Sequence, residues 1–171
     1  MSISIYDVCV PVFVKTLSNM KSVLEKAKAH ALEHKIEESV LVNARLYPDM
    51  FPLSLQVQIA IDIARGCVIR LSGGEPAKSK SEDEAKTFDE LIARIARAID
   101  DMQSADRQTL EGAATREITR PIGGKPHTFT GLSYLLQFAT PNVYFHCAMA
   151  YGILRHNGVP LGKSDFLGPL D

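Results

Sequence analysis

YDVCVPVFVKTLSNMKSVLEKAKAHA, residues 6–31, is the stretch that decides the fold. Tyr6, Val10, Phe13, Leu17, Met20, Leu24, Ala27 and Ala31 step by four and three residues, which aligns all of them along one side of a helix. Lys15, Lys21, Glu25 and Lys28 fall off that stripe and face water. The spacing predicts a helix from Tyr6 to Lys35. A single apolar stripe of this length is stable only when other elements cover it. The rest of the chain must therefore supply partners.

Three more helical segments do so. After LYPDMFPLS, where Pro48 and Pro52 break regular structure, a second helix is expected over Leu53 to Leu71. Val57, Ala60, Ile61, Ala64, Cys67, Val68 and Leu71 form its core stripe, widened by Ile59 and Ile63. Gln58, Asp62 and Arg65 share one narrow polar strip. Ser72 to Lys86 is rich in Gly, Ser and charge and reads as a mobile surface loop. Thr87 and Glu90 have the spacing of a capping box, so a third helix starts there and carries Phe88, Leu91, Ile92, Ile95, Ile99 and Met102 at helical intervals. REITRPIGGKPHTFT reads as two extended arms around Gly123-Gly124, with Pro121 and Pro126 confining it to an edge. A fourth helix is expected from Gly131 to Asn157, kinked or restarted at Pro141 with Thr140 as cap. Gly158 stops it. The tail from Val159 is too rich in Pro and Gly for a helix, and its Val159, Leu161, Phe166 and Leu167 suit it to pack back onto the body. The expected fold class is all-α: one domain over residues 1–171, a four-helix bundle with a small β-hairpin inserted between helices three and four.

Composition narrows the function. The 171 residues carry 19 basic and 20 acidic side chains, a net charge of -1, which gives no global attraction to nucleic acid or to an anionic membrane. No run reaches the length of a membrane span, and the N-terminal apolar stretch, interrupted by Asp7 and Pro11, is not a signal peptide. Cys9, Cys67 and Cys147 are odd in number and widely spaced, which argues against a disulfide framework and for a reducing cytoplasm. GxGxxG, P-loop, GxSxG, HExxH and ExxH patterns are all absent.

His146 is the histidine of most interest. It shares a side of the fourth helix with Asn142, Met149 and Ile153 and should point inward, either as a core-edge histidine or as a general base or metal ligand. His30 and His34, one turn apart among charged residues, read as solvated. His127 lies in the hairpin, and His156 at a helix end where a cation suits the dipole. The cysteines behave as small hydrophobes. Cys147 adjoins His146, but neighbouring helix positions point about 100° apart and make no working pair. Gln58, Asp62, Tyr134, Tyr144, Tyr151 and Arg155, with Arg45 and Asp49, are many polar groups for so small a bundle. Structural ion pairs among Arg45, Asp49 and Arg155 are the first expectation. A small-molecule pocket formed by Gln58, Asp62, Asn142, Tyr144, Tyr151 and Arg155 around His146 is the other.

NARLYPDMFPLSLQVQIAIDIARG and PNVYFHCAMAYGILRHNGVPLGKSDFLG together resemble the domain of unknown function 1993 family, which is similar in fold to the DinB/YfiT-like four-helix bundles. The resemblance covers essentially the whole chain. It implies a homodimer and a site where many relatives hold a divalent metal through three histidines, some of them for thiol-dependent transfer. Aligning LRHNG with the Leu-Arg-x-x-Gly turn places Asn142 on the first helix-four histidine and His146 on the second, one turn later, while the third, on helix two, falls near Gln58 (or Asp62). Neutral amides bind zinc or nickel poorly. The resemblance therefore implies a degenerate metal site with no cofactor expected, a divalent zinc or nickel ion being the alternative. The function expected is a binding or interaction module for an unknown small molecule. The alternative is an enzyme of transferase or hydrolase type that uses His146 as general base or sole strong ligand.

Overall fold

The computed structural model describes residues 4–77 and 85–170. The middle of the expected Ser72–Lys86 loop lies outside them. The chain forms α1 (Ile5–Glu33), α2 (Glu38–Val42), α3 (Leu53–Leu71), α4 (Phe88–Gln103), β1 (Glu117–Ile122), β2 (Lys125–Thr130), α5 (Gly131–Ser133), a π-helical turn (Tyr134–Ala139), α6 (Thr140–His156) and α7 (Lys163–Leu167). Two short 3₁₀ turns lie between α4 and β1.

Each long helix forms for reasons visible in its residues. In α1 the Ser4 hydroxyl accepts from the Asp7 N–H at 3.2 Å and closes the first turn. Val10 through Ala31 of its stripe are all buried, as are Cys9 and Val23 beside them. The α4 capping box forms: Glu90 N–H donates to the Thr87 hydroxyl at 3.2 Å while the Glu90 carboxylate accepts from the Thr87 N–H at 3.3 Å. The Lys86 N–H, which donates to the same carboxylate at 2.6 Å, and then the Thr87 N–H hold the Glu90 carboxyl below its ordinary pKa.

The helices close in the cycle α1–α4–α3–α6. α1 packs on α4 and α6, and α3 on α6 and α4, so α1 and α3 are diagonal. Their stripes, with Leu41 and Val42 of α2, merge into one continuous core in which Phe13, Leu17, Leu24, Leu53, Phe88 and Ile95 are fully enclosed. Each such side chain contributes on the order of 1.5–3 kcal/mol relative to exposure. The architecture is the expected all-α bundle with a small hairpin.

The hairpin turns at Gly123 (φ 57°) and Gly124 (φ 79°), the two left-handed positions that a two-residue type I′ loop requires. Buried Ile118 and half-buried Phe129 pin it to the body, where Phe129 meets the rings of Tyr134 and Phe138. Gly131, where the chain re-enters the bundle, has no room for a side chain: a Cβ there would run into the Ala113 carbonyl oxygen.

Three expectations change. The fourth helix is not restarted at Pro141. Thr140 has helical angles (φ -58°, ψ -52°), so it caps nothing, and its N–H reaches back to Leu135 O in the π register. The proline, which cannot donate, falls in the first turn of α6 where the hydrogen-bond register changes. The tail contains a short helix, α7, begun by Gly162 N–H donating to the Asp165 carboxylate at 2.8 Å. It packs on α1 as expected: Asn19 Nδ2 donates to Phe166 O (3.2 Å) and Leu167 O (2.8 Å), and Lys26 pairs with Asp165. Val159 and Leu161 are buried, whereas the Leu167 side chain is exposed. Third, no ion pair joins Arg45, Asp49 and Arg155 among the described residues. Arg45 instead donates to Met50 O at 2.8 Å and clasps its own loop, while Arg155 is exposed.

No helix among the described residues is long and apolar enough to cross a membrane.

Candidate functional site

Where α6 crosses α3, two polar side chains are buried in the seam. His146, 9% exposed, places Nδ1 2.7 Å from Oε1 of Gln56, itself 2% exposed. Gln56 is held in turn: its Nε2 donates to Phe51 O at 3.3 Å, just before α3 begins. That bond orients the amide. With its NH₂ directed at a carbonyl, the oxygen must face His146, so Nδ1 carries the proton and Nε2 is left as a lone-pair acceptor. Nε2 has no protein partner among the described residues and is not a buried atom. The edge of the exposed Phe145 ring stands against the imidazole, centroids 5.2 Å apart. Burial pushes the His146 pKa below the ordinary histidine value, which keeps the ring neutral at physiological pH.

The site expected from the sequence is rearranged around this pair. Gln58 lies two residues beyond Gln56, about 200° round the helix, and so faces α4. Its Nε2 donates to Asp62 at 2.9 Å and its Oε1 accepts from Arg94 at 2.8 Å. Arg65 continues that strip with Asp101 at 3.4 Å. The polar strip of α3 thus bridges two helices and does not line a cavity with His146. Asn142 is on the His146 side, but its Nδ2 donates to Phe138 O at 2.7 Å within the register change. Tyr144 is exposed, Tyr151 packs edge-on against Phe166 (5.9 Å), and Arg155 is exposed; helical geometry turns all three away from His146. Tyr134 is fully buried, stacked on Phe138 at 5.6 Å, with its hydroxyl accepting from Arg70 Nη1 at 3.2 Å.

Sequence reasoning missed Gln56. The signal was present: Gln56, Ala60, Ala64 and Cys67 share the buried stripe of α3, and an amide on an apolar stripe demands a buried partner.

Among the described residues no three His, Cys, Asp or Glu side chains gather as a metal-holding group. The donor set does not fit a resident transition ion. It offers a single imidazole nitrogen, that of His146 Nε2, and amides committed to other partners, where a catalytic zinc usually needs three protein ligands. His30 and His34 stack on each other at 4.1 Å on the exposed end of α1. The thiols are buried and free. Burial raises the Cys147 pKa to about 12, and burial together with the adjacent Cys9 raises that of Cys67, so neither is a nucleophile.

The helix order, with the hairpin before the last long helix, defines a four-helix bundle with a two-stranded insertion. The crystal structure of a DinB family member from Shewanella denitrificans matches with a TM-score of 0.86 and 41% sequence identity, covering 96% of this chain and 92% of that one. No curated protein matches the chain. The model of the family described as domain of unknown function 1993 matches residues 5–167, and the chain belongs to that family.

Proposed function

We propose that this protein binds a small molecule at the α3–α6 seam, and that His146 anchors it. The observation that carries this reading is the relay Phe51 O, Gln56, His146. It commits two buried polar groups to holding a neutral imidazole in one tautomer, with its Nε2 acceptor left without a partner among the described residues. A ligand with an N–H or O–H donor and an apolar flank for Phe145 suits such a group. The seam stands where the resemblance implies three imidazoles in relatives, so the reading includes a metal site that has degenerated. The three free, buried thiols are compatible with a cytoplasmic setting. A homodimer is the assembly proposed. Residues 131–154 contain no Asp, Glu, Lys or Arg, yet expose Leu132, Leu136 and Phe145, a composition typical of an interface core.

A second reading is supported by the same imidazole. A neutral ring with a fixed lone pair is also a general base for water or a thiol. A thermal-shift screen on wild type and His146→Ala, with metal analysis of both, separates these readings. A molecule that raises Tm only in the wild type supports the binder. Near-stoichiometric zinc, nickel or iron that is lost on substitution overturns it and favours metal-dependent chemistry. Light scattering tests the dimer, which Phe145→Glu should dissociate; a monomeric wild type refutes it.

A further inference from the structure

At the far end of α3, four turns from Gln56, lies a cleft of about 290 Å³ between the helix C-terminus and the start of β1. Arg70, Glu75, Arg116 and Glu117 line it, with the Gly73-Gly74 turn as its floor. It contains two cations and two anions, yet none of the four takes part in an ion pair with a described residue, although Arg65, Arg107, Lys26 and Lys28 all do.

The guanidinium groups are anchored through neutral acceptors instead. Arg70 Nη1 donates to Gly66 O (3.3 Å) and to the Tyr134 hydroxyl (3.2 Å). Arg116 Nη1 donates to Leu71 O and, at 3.4 Å, to Thr109 O. Each arginine is thus fixed by one nitrogen, while its remaining donors have no acceptor among the described residues and are not buried. Gly73, at φ +87°, makes the turn and keeps the floor low, since a Cβ there would sit 3.5 Å from Arg116 Nη1.

Capping the α3 carbonyl end accounts for one bond of Arg116 and for the location of Arg70. It does not account for two carboxylates that share the cleft without pairing to them. A purely anionic ligand would meet Glu75 and Glu117, and a purely cationic one the arginines. We propose that the cleft takes a small zwitterion of the amino-acid class. Its carboxylate meets the open N–H groups of Arg70 and Arg116, and its ammonium meets Glu75 or Glu117. The volume suits a ligand of that size. The site is separate from the His146 seam and stands or falls independently of it.

The test is a ¹H–¹⁵N NMR titration of the full chain with L-alanine, and in parallel with propionate and with propylammonium, which are its two charged halves. The expected result is saturable shifts of the Gly73, Gly74 and Thr119 amides with L-alanine, with each half weaker by at least about tenfold. Arg116→Lys should weaken binding comparably. Because Arg116 also caps α3, the decisive variant is Glu75→Gln with Glu117→Gln, whose side chains are exposed and form no ion pair among the described residues. Loss of L-alanine binding in that variant, with an otherwise unchanged spectrum, supports the proposal. Absence of saturable shifts, an equal response to all three probes, or retention of binding by the double variant overturns it.

Discussion

Replacing Gln56 by Leu removes the one acceptor that a buried imidazole N–H has among the described residues, while conserving side-chain bulk. The bond is short, 2.7 Å, and both residues are almost excluded from water. The net worth of such a bond is about 1 kcal/mol, and stranding the buried donor costs roughly 1–3 kcal/mol. Gln56→Leu alone, and His146→Leu alone (which strands the Gln56 carbonyl), should each destabilise by about 1–3 kcal/mol. The double variant, with apolar groups on both sides of the seam, should lose far less than the sum, because neither polar group is then left behind. Urea unfolding followed by circular dichroism reads all four proteins. With a slope of about 2 kcal/mol per molar, each single variant shifts the midpoint by about 0.5–1.5 M. If the two losses add to within about 0.5 kcal/mol, the side chains do not interact and the relay is refuted. A ¹⁵N spectrum that places the His146 proton on Nε2 refutes the tautomer assignment independently.

Further outcomes follow from other parts of the molecule. The His146 pKa is depressed by burial, so between its folded and unfolded values the unfolded chain binds more protons. Stability is then full above the ordinary histidine range and falls as pH drops through it, and His146→Leu should flatten that slope relative to wild type; an unchanged slope places the titration elsewhere. Gly131→Ala drives a methyl group into the Ala113 carbonyl and should cost about 1–3 kcal/mol or more, so a variant with wild-type Tm contradicts that close approach. Thr87→Ala opens the capping box and should cost about 0.5–2 kcal/mol by chemical denaturation. With Cys9, Cys67 and Cys147 all buried, an aromatic disulfide reagent should label no thiol rapidly in the native protein and all three in urea. Prompt native labelling would show that the seam opens.

Much of this architecture was legible because its signals are local. The ends of the Leu53–Leu71 helix follow from Pro52 before it and the Ser-Gly-Gly run after it. The start of α4 follows from Thr87 and Glu90, and the hairpin from two adjacent glycines. The π turn has no comparable signature. Its Tyr134 and Phe138 rings both meet Phe129 of the hairpin, a tertiary contact that no local pattern announces. The candidate site was half legible. Spacing places His146 inward, but the resemblance points to Gln58 for the amide beside it, and two residues of helix are enough to turn a side chain from α6 to α4. Arg45 was read for its charge, whereas the loop offered it a carbonyl at Met50, and which acceptor a loop presents depends on its path.

The cyclic order of the helices also has a temporal meaning. α1 is made first, but α6, one of the two long helices that flank it, is made last. On the ribosome roughly 120 residues separate the end of α1 from the end of α6, which at about 5–20 residues per second is on the order of ten seconds of translation. Throughout that interval the ridge of the nascent chain, Val10 through Ala31, lacks its α6 flank and has at most α4 to cover it, which invites chaperone capture. The α7 clasp at Asn19 and Lys26 comes later still, so it can close only after all four long helices have been made.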